Sequence, residues 1–213
     1  MAKDIIIYPS GDTTNSNPFI RFSGGSDVNY IIEMTSDGYL DLSIEENIVT
    51  SGLTLYLDAG NYDSYSGGTT WYDLSGNGNN GTLTNGPVYN SGSIVFDGSN
   101  DEVAVTISGI PTGASPRTVN IWFKYTKYSQ TWYSIAGYGT QSIGRTFDIG
   151  ITDSTGVLFL DGYGGGYGVN TGEATPEDTW GLATAIYTGT QQQIYYNGVF
   201  KGSNTVTLDT ASS

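Results

Sequence analysis

The chain has 213 residues, 7 basic against 21 acidic, for a formal net charge of −14. That length allows one sizeable domain, or one with a small appendage, and the charge repels DNA and RNA with no Lys/Arg cluster to override it. Cysteine and histidine are both absent, which excludes disulfides, Cys/His zinc sites and any triad that needs an imidazole base.

Residues 1–50 differ in texture from the rest. Two apolar clusters, DIIIY (4–8) and PFIRF (18–22), flank the polar loop PSGDTTNSN. Ile5, Ile7, Phe19 and Phe22 in these clusters are the expected anchor residues, through apolar docking or addition of a strand to a partner sheet. NYIIEMTSDGYLDLSI then reads as a hairpin. Tyr30, Ile32 and Met34 alternate, Asp37-Gly38 supplies positive-φ turn chemistry, and Tyr39 and Leu40 lead the return strand. A segment this small struggles to build its own core, so it is expected to dock, with Glu45-Glu46-Asn47 as a hinge. The start, MAKDIIIYPSGD, lacks the apolar run of a signal peptide, and nothing downstream could span a bilayer. The chain is therefore expected to be made in a cytoplasm without membrane insertion.

From Ser51 onward, short strands alternate with turn signals, as in a sandwich or barrel. Strands are expected at 53–58, 93–97, 102–107, 117–126 and 132–137, and further at 145–151, 156–161, 179–187, 193–197 and 205–208. In VNIWFKY, Val119, Ile121 and Phe123 share one face and Trp122 takes the other. No stretch holds a 3.6-residue apolar period, so little helix is expected. Between the first two strands lies DLSGNGNNGTL (73–83). Its glycines and asparagines suit positive-φ corners, with Leu74 and Leu83 as inward anchors, which makes it a rigid corner and not a linker.

Four pieces occur in one order: LTLYLDAG (53–60), WYDLSGNGNNGTLTNGP (71–87), IVFDGSNDEVAV (94–105) and TWGLATAIYTGTQQQIYYNGVFKG (179–202). Together they resemble a laminin-G-like, concanavalin-A-like jelly-roll domain over roughly residues 52–208. The resemblance implies an all-β, antiparallel jelly-roll β-sandwich over 51–213, preceded by a small N-terminal β-hairpin segment over 1–50. Two departures stand out. Trp180 is followed by Gly181-Leu182 where the family commonly has histidine. The family also usually continues past the Asn197-Gly198 hairpin into a last strand; here that strand is expected to be missing, to come from a partner chain or the N-terminal segment, or to lie in a longer polypeptide. Such domains with a short N-terminal module resemble phage virion proteins: capsid decoration proteins, head fibres or tail-fibre modules. By analogy, the expected partners are capsid or tail proteins and host-surface glycans, the expected location is the virion surface, and the expected state is a homo-oligomer.

The sequence favours no enzyme. Glu45 and Glu46 are adjacent and would point to opposite faces of a strand, Glu173 and Glu177 flank Pro176 in a loop, and no Glu-x-Asp-x-x-Glu arrangement occurs, against the paired carboxylates glycoside hydrolysis along one strand would need. Calcium is the more plausible site chemistry, with Asp97, Asn100 and Asp101 in FDGSND as ligands and Asp58 and Asp73 near strand ends. A simple turn at Asp97-Gly98 is the preferred alternative. Tyr62, Tyr65 and Tyr72 around a Gly/Ser loop, with Tyr163 and Tyr167 in YGGGYG, are candidate contacts, glycan and protein standing level. Trp71, Trp122 and Trp180 are expected to pack in the core or at edges. The expected function is a non-enzymatic virion decoration or fibre protein whose sandwich adheres to glycans. The alternatives are a calcium-assisted lectin module and, behind it, a glycan-cleaving enzyme.

Overall fold

The computed structural model describes residues 48–126, 132–152 and 155–212, together with the backbone of strands 6–7, 19–23, 29–34 and 40–45. The chain divides into two compact units, Met1–Leu53 and Thr54–Ser213. In the first, β1 (Ile6–Ile7), β2 (Phe19–Ser23), β3 (Asn29–Met34) and β4 (Leu40–Glu45) form an antiparallel meander in that order. The register pairs Ile7 with Ile20, Phe22 with Tyr30, Ile32 with Leu42 and Met34 with Leu40. Directly paired residues fall on one face of a sheet. Ile7 and Phe22 therefore take one face, and Phe19, paired with Glu33, takes the other. The expected hairpin is the second half of this meander. Ile5, the Asp37-Gly38 turn, Tyr39 and Glu46-Asn47 lie outside the described residues.

The second unit opens with short strands: β5 (Thr70–Trp71), β6 (Gly81–Thr84), β7 (Val88–Asn90), β8 (Ser93–Val95) and β9 (Glu102–Val105). Of these, β5-β6-β9 form a small sheet and β7-β8 a hairpin. Next come β10 (Arg117–Phe123), β11 (Trp132–Gly139), β12 (Thr146–Thr152) and β13 (Val157–Asp161). The last are β14 (Gly168–Ala174), β15 (Gly181–Tyr187), β16 (Gln191–Tyr196) and β17 (Val199–Thr205). These eight build two antiparallel sheets, β10-β15-β16-β17 and β11-β12-β13-β14, packed over one core.

Strand alternation makes that core. β12 turns Phe147, Ile149 and Ile151 inward, β13 turns Leu158 and Leu160, and β15 turns Ala183, Ala185 and Tyr187, none more than 1% exposed. Each large side chain so buried contributes about 1.5–3 kcal/mol. The all-β class and the antiparallel sandwich expected from the sequence are both present.

Three expectations at the strand level need correction. Residues 53–58 form no ladder, because side chains of the 73–79 corner take their backbone groups. Asp73 accepts the Tyr56 N–H at 2.8 Å, and Asn79 donates to the Thr54 carbonyl at 2.8 Å. The closing strand is Val199–Thr205, folded back on β16 through Asn197-Gly198 with φ of 50° and 76°, whereas residues 206–208 form no ladder. They belong to a tether in which the amides of Leu208, Asp209 and Ala211 donate to Tyr187, Gly144 and Arg145. Finally, β14 is built from the polar run GVNTGEA, which has no apolar alternation to announce it.

Candidate functional site

Because β12 and β13 bury their odd-numbered and even-numbered apolar residues respectively, their remaining residues face outward. On β12 these include Asp148 and Gly150, and on β13 Phe159 and Asp161. The register sets Asp148 directly opposite Asp161 and Gly150 opposite Phe159. Such cross-strand neighbours have Cβ atoms about 4.5–5.5 Å apart. β11 adds Gly137 beside Asp148 and Ser134 beside Gly150, and β14 adds Gly168 beside Asp161 and Asn170 beside Phe159.

The glycines shape this surface. A Cβ at Gly150 would come within 2.6 Å of the Trp132 indole, so the ring lies down over that strand. A Cβ at Gly137 would collide with Asp148 Oδ1, and one at Gly168 would sit 3.2 Å from Asp161 Oδ1. Trp132 and Phe159 meet with ring centroids 5.5 Å apart at 60°. The result is a platform of two aromatic rings beside two carboxylates, all four residues partly exposed.

Burial pushes the Asp148 carboxyl above its ordinary value. The Ser134 hydroxyl, donating at 2.6 Å, and the Trp132 indole work in the opposite direction, and the neighbouring Asp161 charge adds to the rise. Asp161 is also pushed up by burial, offset in part by the backbone N–H groups of Tyr163 and Gly162. Among the described residues no Lys or Arg contributes to either shift. Ionised carboxylates accept hydrogen bonds from donors, and aromatic faces beside them suit the apolar face of a sugar ring.

Along-strand spacing could not reveal this pair, since the two aspartates are joined only by register. The available signal was an aspartate inside the apolar run RTFDIGI, where aspartate is disfavoured, and another closing the apolar run GVLFLD.

The residues singled out from the sequence fall elsewhere. Asp97 accepts the Ser99 N–H at 2.8 Å, Asp101 accepts the Asp97 N–H at 2.9 Å, and the Asn100 carbonyl accepts from Asn85 at 2.7 Å. That is a closed turn. Among the described residues no three or more His, Cys, Asp or Glu side chains are grouped to hold a metal. Tyr62 is exposed and Tyr72 half-exposed, but Tyr65 is only 8% exposed. It stacks on Tyr89 at 5.5 Å, meets Trp71 edge-on at 6.4 Å and donates to the Gly68 carbonyl. Tyr65 is thus a packing residue and not a surface contact. Tyr163 is exposed two residues past the end of β13, whereas Tyr167 packs partly buried against the core.

Two tryptophans also correct an expectation. Trp122 is 64% exposed and Trp180 47% exposed, the latter with the Lys124 ammonium 5.6 Å from its ring. Trp122 lies on the outer face of the other sheet, across from Leu182. On that face Thr184 donates to Asn120, and Tyr195 donates to Gln193, which itself donates to Gln191. Trp71 is half-buried at a sheet edge.

Two facing antiparallel sheets with an aromatic and acidic outer surface make the second unit a lectin-like β-sandwich. The chain belongs to the concanavalin A-like lectin/glucanases superfamily, whose family model matches residues 97–213. No curated protein matches the chain. Two similar solved structures are β-fructofuranosidase from Schwanniomyces occidentalis complexed with fructosyl-erythritol and a variant of that enzyme complexed with fructosylnystose. They are 13% and 14% identical, with TM-scores of 0.27. Each alignment covers 98% of this chain and 56% of the other, so the chain spans little more than half their length. A likeness this slight carries no argument about activity.

Proposed function

We propose that this chain is a non-enzymatic glycan-binding protein carried on a phage virion, its sandwich exposed for adhesion and residues 1–50 anchoring it to a capsid or tail protein. The observation that carries the binding role is the Trp132–Phe159 platform with Asp148 and Asp161 beside it. The apolar register of the first unit supports an anchoring role, and a cysteine-free chain suits a particle assembled inside a reducing cell. Many copies on one particle would turn weak single contacts into firm attachment.

The same pair of carboxylates favours one second reading. Two aspartates directly opposite each other on neighbouring strands could bring a pair of carboxyls to bear on one glycosidic bond, as a retaining glycoside hydrolase does. Against it, such an enzyme keeps one carboxyl ionised as nucleophile while the other is raised to serve as acid, and here burial pushes both in the same direction, upward.

Binding to an immobilised glycan panel tests the proposal. Saturable binding is expected, weakened at least tenfold by Trp132→Ala in a protein that keeps its thermal transition. Binding that ignores this substitution removes the platform's role. A fall in binding with chelator would favour the calcium-assisted lectin, and release of reducing sugar would favour the hydrolase. Deletion of residues 1–45 is expected to abolish incorporation into particles.

A further inference from the structure

The chemistry of the platform restricts what it can take. Its polar half is acceptor-only: two carboxylates on adjacent strands, with no Lys or Arg among the described residues acting on either. One Asp148 oxygen already accepts from Ser134, and Asp161 accepts from backbone N–H groups, so both are held in place. Glycines on both sides, Gly137 and Gly168, leave no side chain on β11 or β14 at these positions to satisfy the remaining lone pairs. A ligand must supply donors. Sugar hydroxyls and ammonium groups do so, whereas the carboxylate or sulfate of an acidic sugar brings more negative charge and no donor. The rest of the protein adds to the discrimination, with a net charge of −14. Close to a poorly solvated pair, like-charge repulsion is screened less than in bulk water.

Resting on the glycan-binding reading above, we infer that the platform selects non-anionic saccharides, whose hydroxyls donate to Asp148 and Asp161 while a ring face lies on Trp132 and Phe159, and rejects uronate-bearing and sulfated ones. Selectivity against anionic sugars therefore comes from the acceptor pair, while the aromatic rings supply adhesion to the sugar's apolar face.

The test is calorimetric titration of the full chain with size-matched oligosaccharides in neutral, amine-bearing and uronate forms at fixed salt. Wild type is expected to bind neutral and amine-bearing forms at least tenfold more tightly than the uronate form. The double variant Asp148→Asn, Asp161→Asn keeps the side-chain shapes, and is expected to shrink that ratio to about threefold or less. Wild type binding the uronate form as tightly as its neutral counterpart would overturn the selectivity and leave the binding site standing. An unchanged ratio in the double variant would do the same. No binding of any form, or binding indifferent to Trp132→Ala, would overturn the glycan-binding reading and this inference with it.

Discussion

Asp73 and Asp148 show how opposite surroundings tune the same side chain. For Asp73, burial pushes the carboxyl up, but hydrogen bonds from Ser75, Tyr56 and Asn79 outweigh it and leave the group below 3.8. Its contribution to stability is present above 3.8 and is lost as pH falls through the lowered folded value. For Asp148 the balance is reversed, and the folded state holds the carboxyl above 3.8. The folded state therefore binds that proton more tightly than the unfolded chain does. The stability linked to that site is fully present below 3.8 and is lost as pH rises through the raised folded value. Asp148→Asn removes the burden, because an amide carries no charge to desolvate. The variant should be more stable than wild type at pH 7, and the gap should close near pH 3.5, as read by denaturant unfolding at both values. A larger gap at the acidic value would contradict the assignment.

The 73–79 corner shows why a confident strand pattern can fail. LTLYLD has the composition of a strand, yet its backbone is satisfied by side chains. Asn79, 3% exposed, donates to the Thr54 and Ser108 carbonyls and accepts the Ser108 N–H at 2.8 Å. Gly76 and Gly78 turn the chain at φ of 86° and 72°, and Leu83 at the end of the motif is buried as expected. Asn79→Ala should cost about 3 kcal/mol, since three hydrogen bonds are lost and their backbone partners are left in a half-dry site. Chemical denaturation reads the loss directly. A cost below about 1 kcal/mol would mean that water replaces the amide without penalty.

Across the sandwich, Arg117 joins segments far apart in sequence. It is only 7% exposed, and its guanidinium lies 4.9 Å from the Phe147 and Tyr187 ring centroids and 5.8 Å from that of Tyr138. It donates to the carbonyls of Pro111, Gly113 and Ser115 and to the Thr210 hydroxyl, binding the C-terminal tether to the 111–115 loop. Burial lowers its pKa. Lysine offers neither the planar fork nor the stacking surface. Arg117→Lys should destabilise the sandwich by about 2–3 kcal/mol and speed hydrogen exchange at the amides of Leu208, Asp209 and Ala211. Unchanged exchange there would show that the tether holds without this clasp. Because Thr54–Ser213 forms a compact unit with its own core, a chain beginning at Thr54 should still unfold in one cooperative transition.

The all-β class, the antiparallel sandwich and most strands of its two main sheets were legible because alternation is local, written in residues two apart. Chemistry needing imidazole or thiol was excluded by composition alone. The acidic pair was not legible, because Asp148 and Asp161 become neighbours only when β12 and β13 settle into one register, and a slip of one residue would turn either side chain to the other face. The same non-local choice buries Tyr65 against Tyr89, leaves Trp122 in solvent and turns LTLYLD from a strand into the edge of a polar corner. Periodicity says which residues share a side of a strand, and packing decides what each side meets.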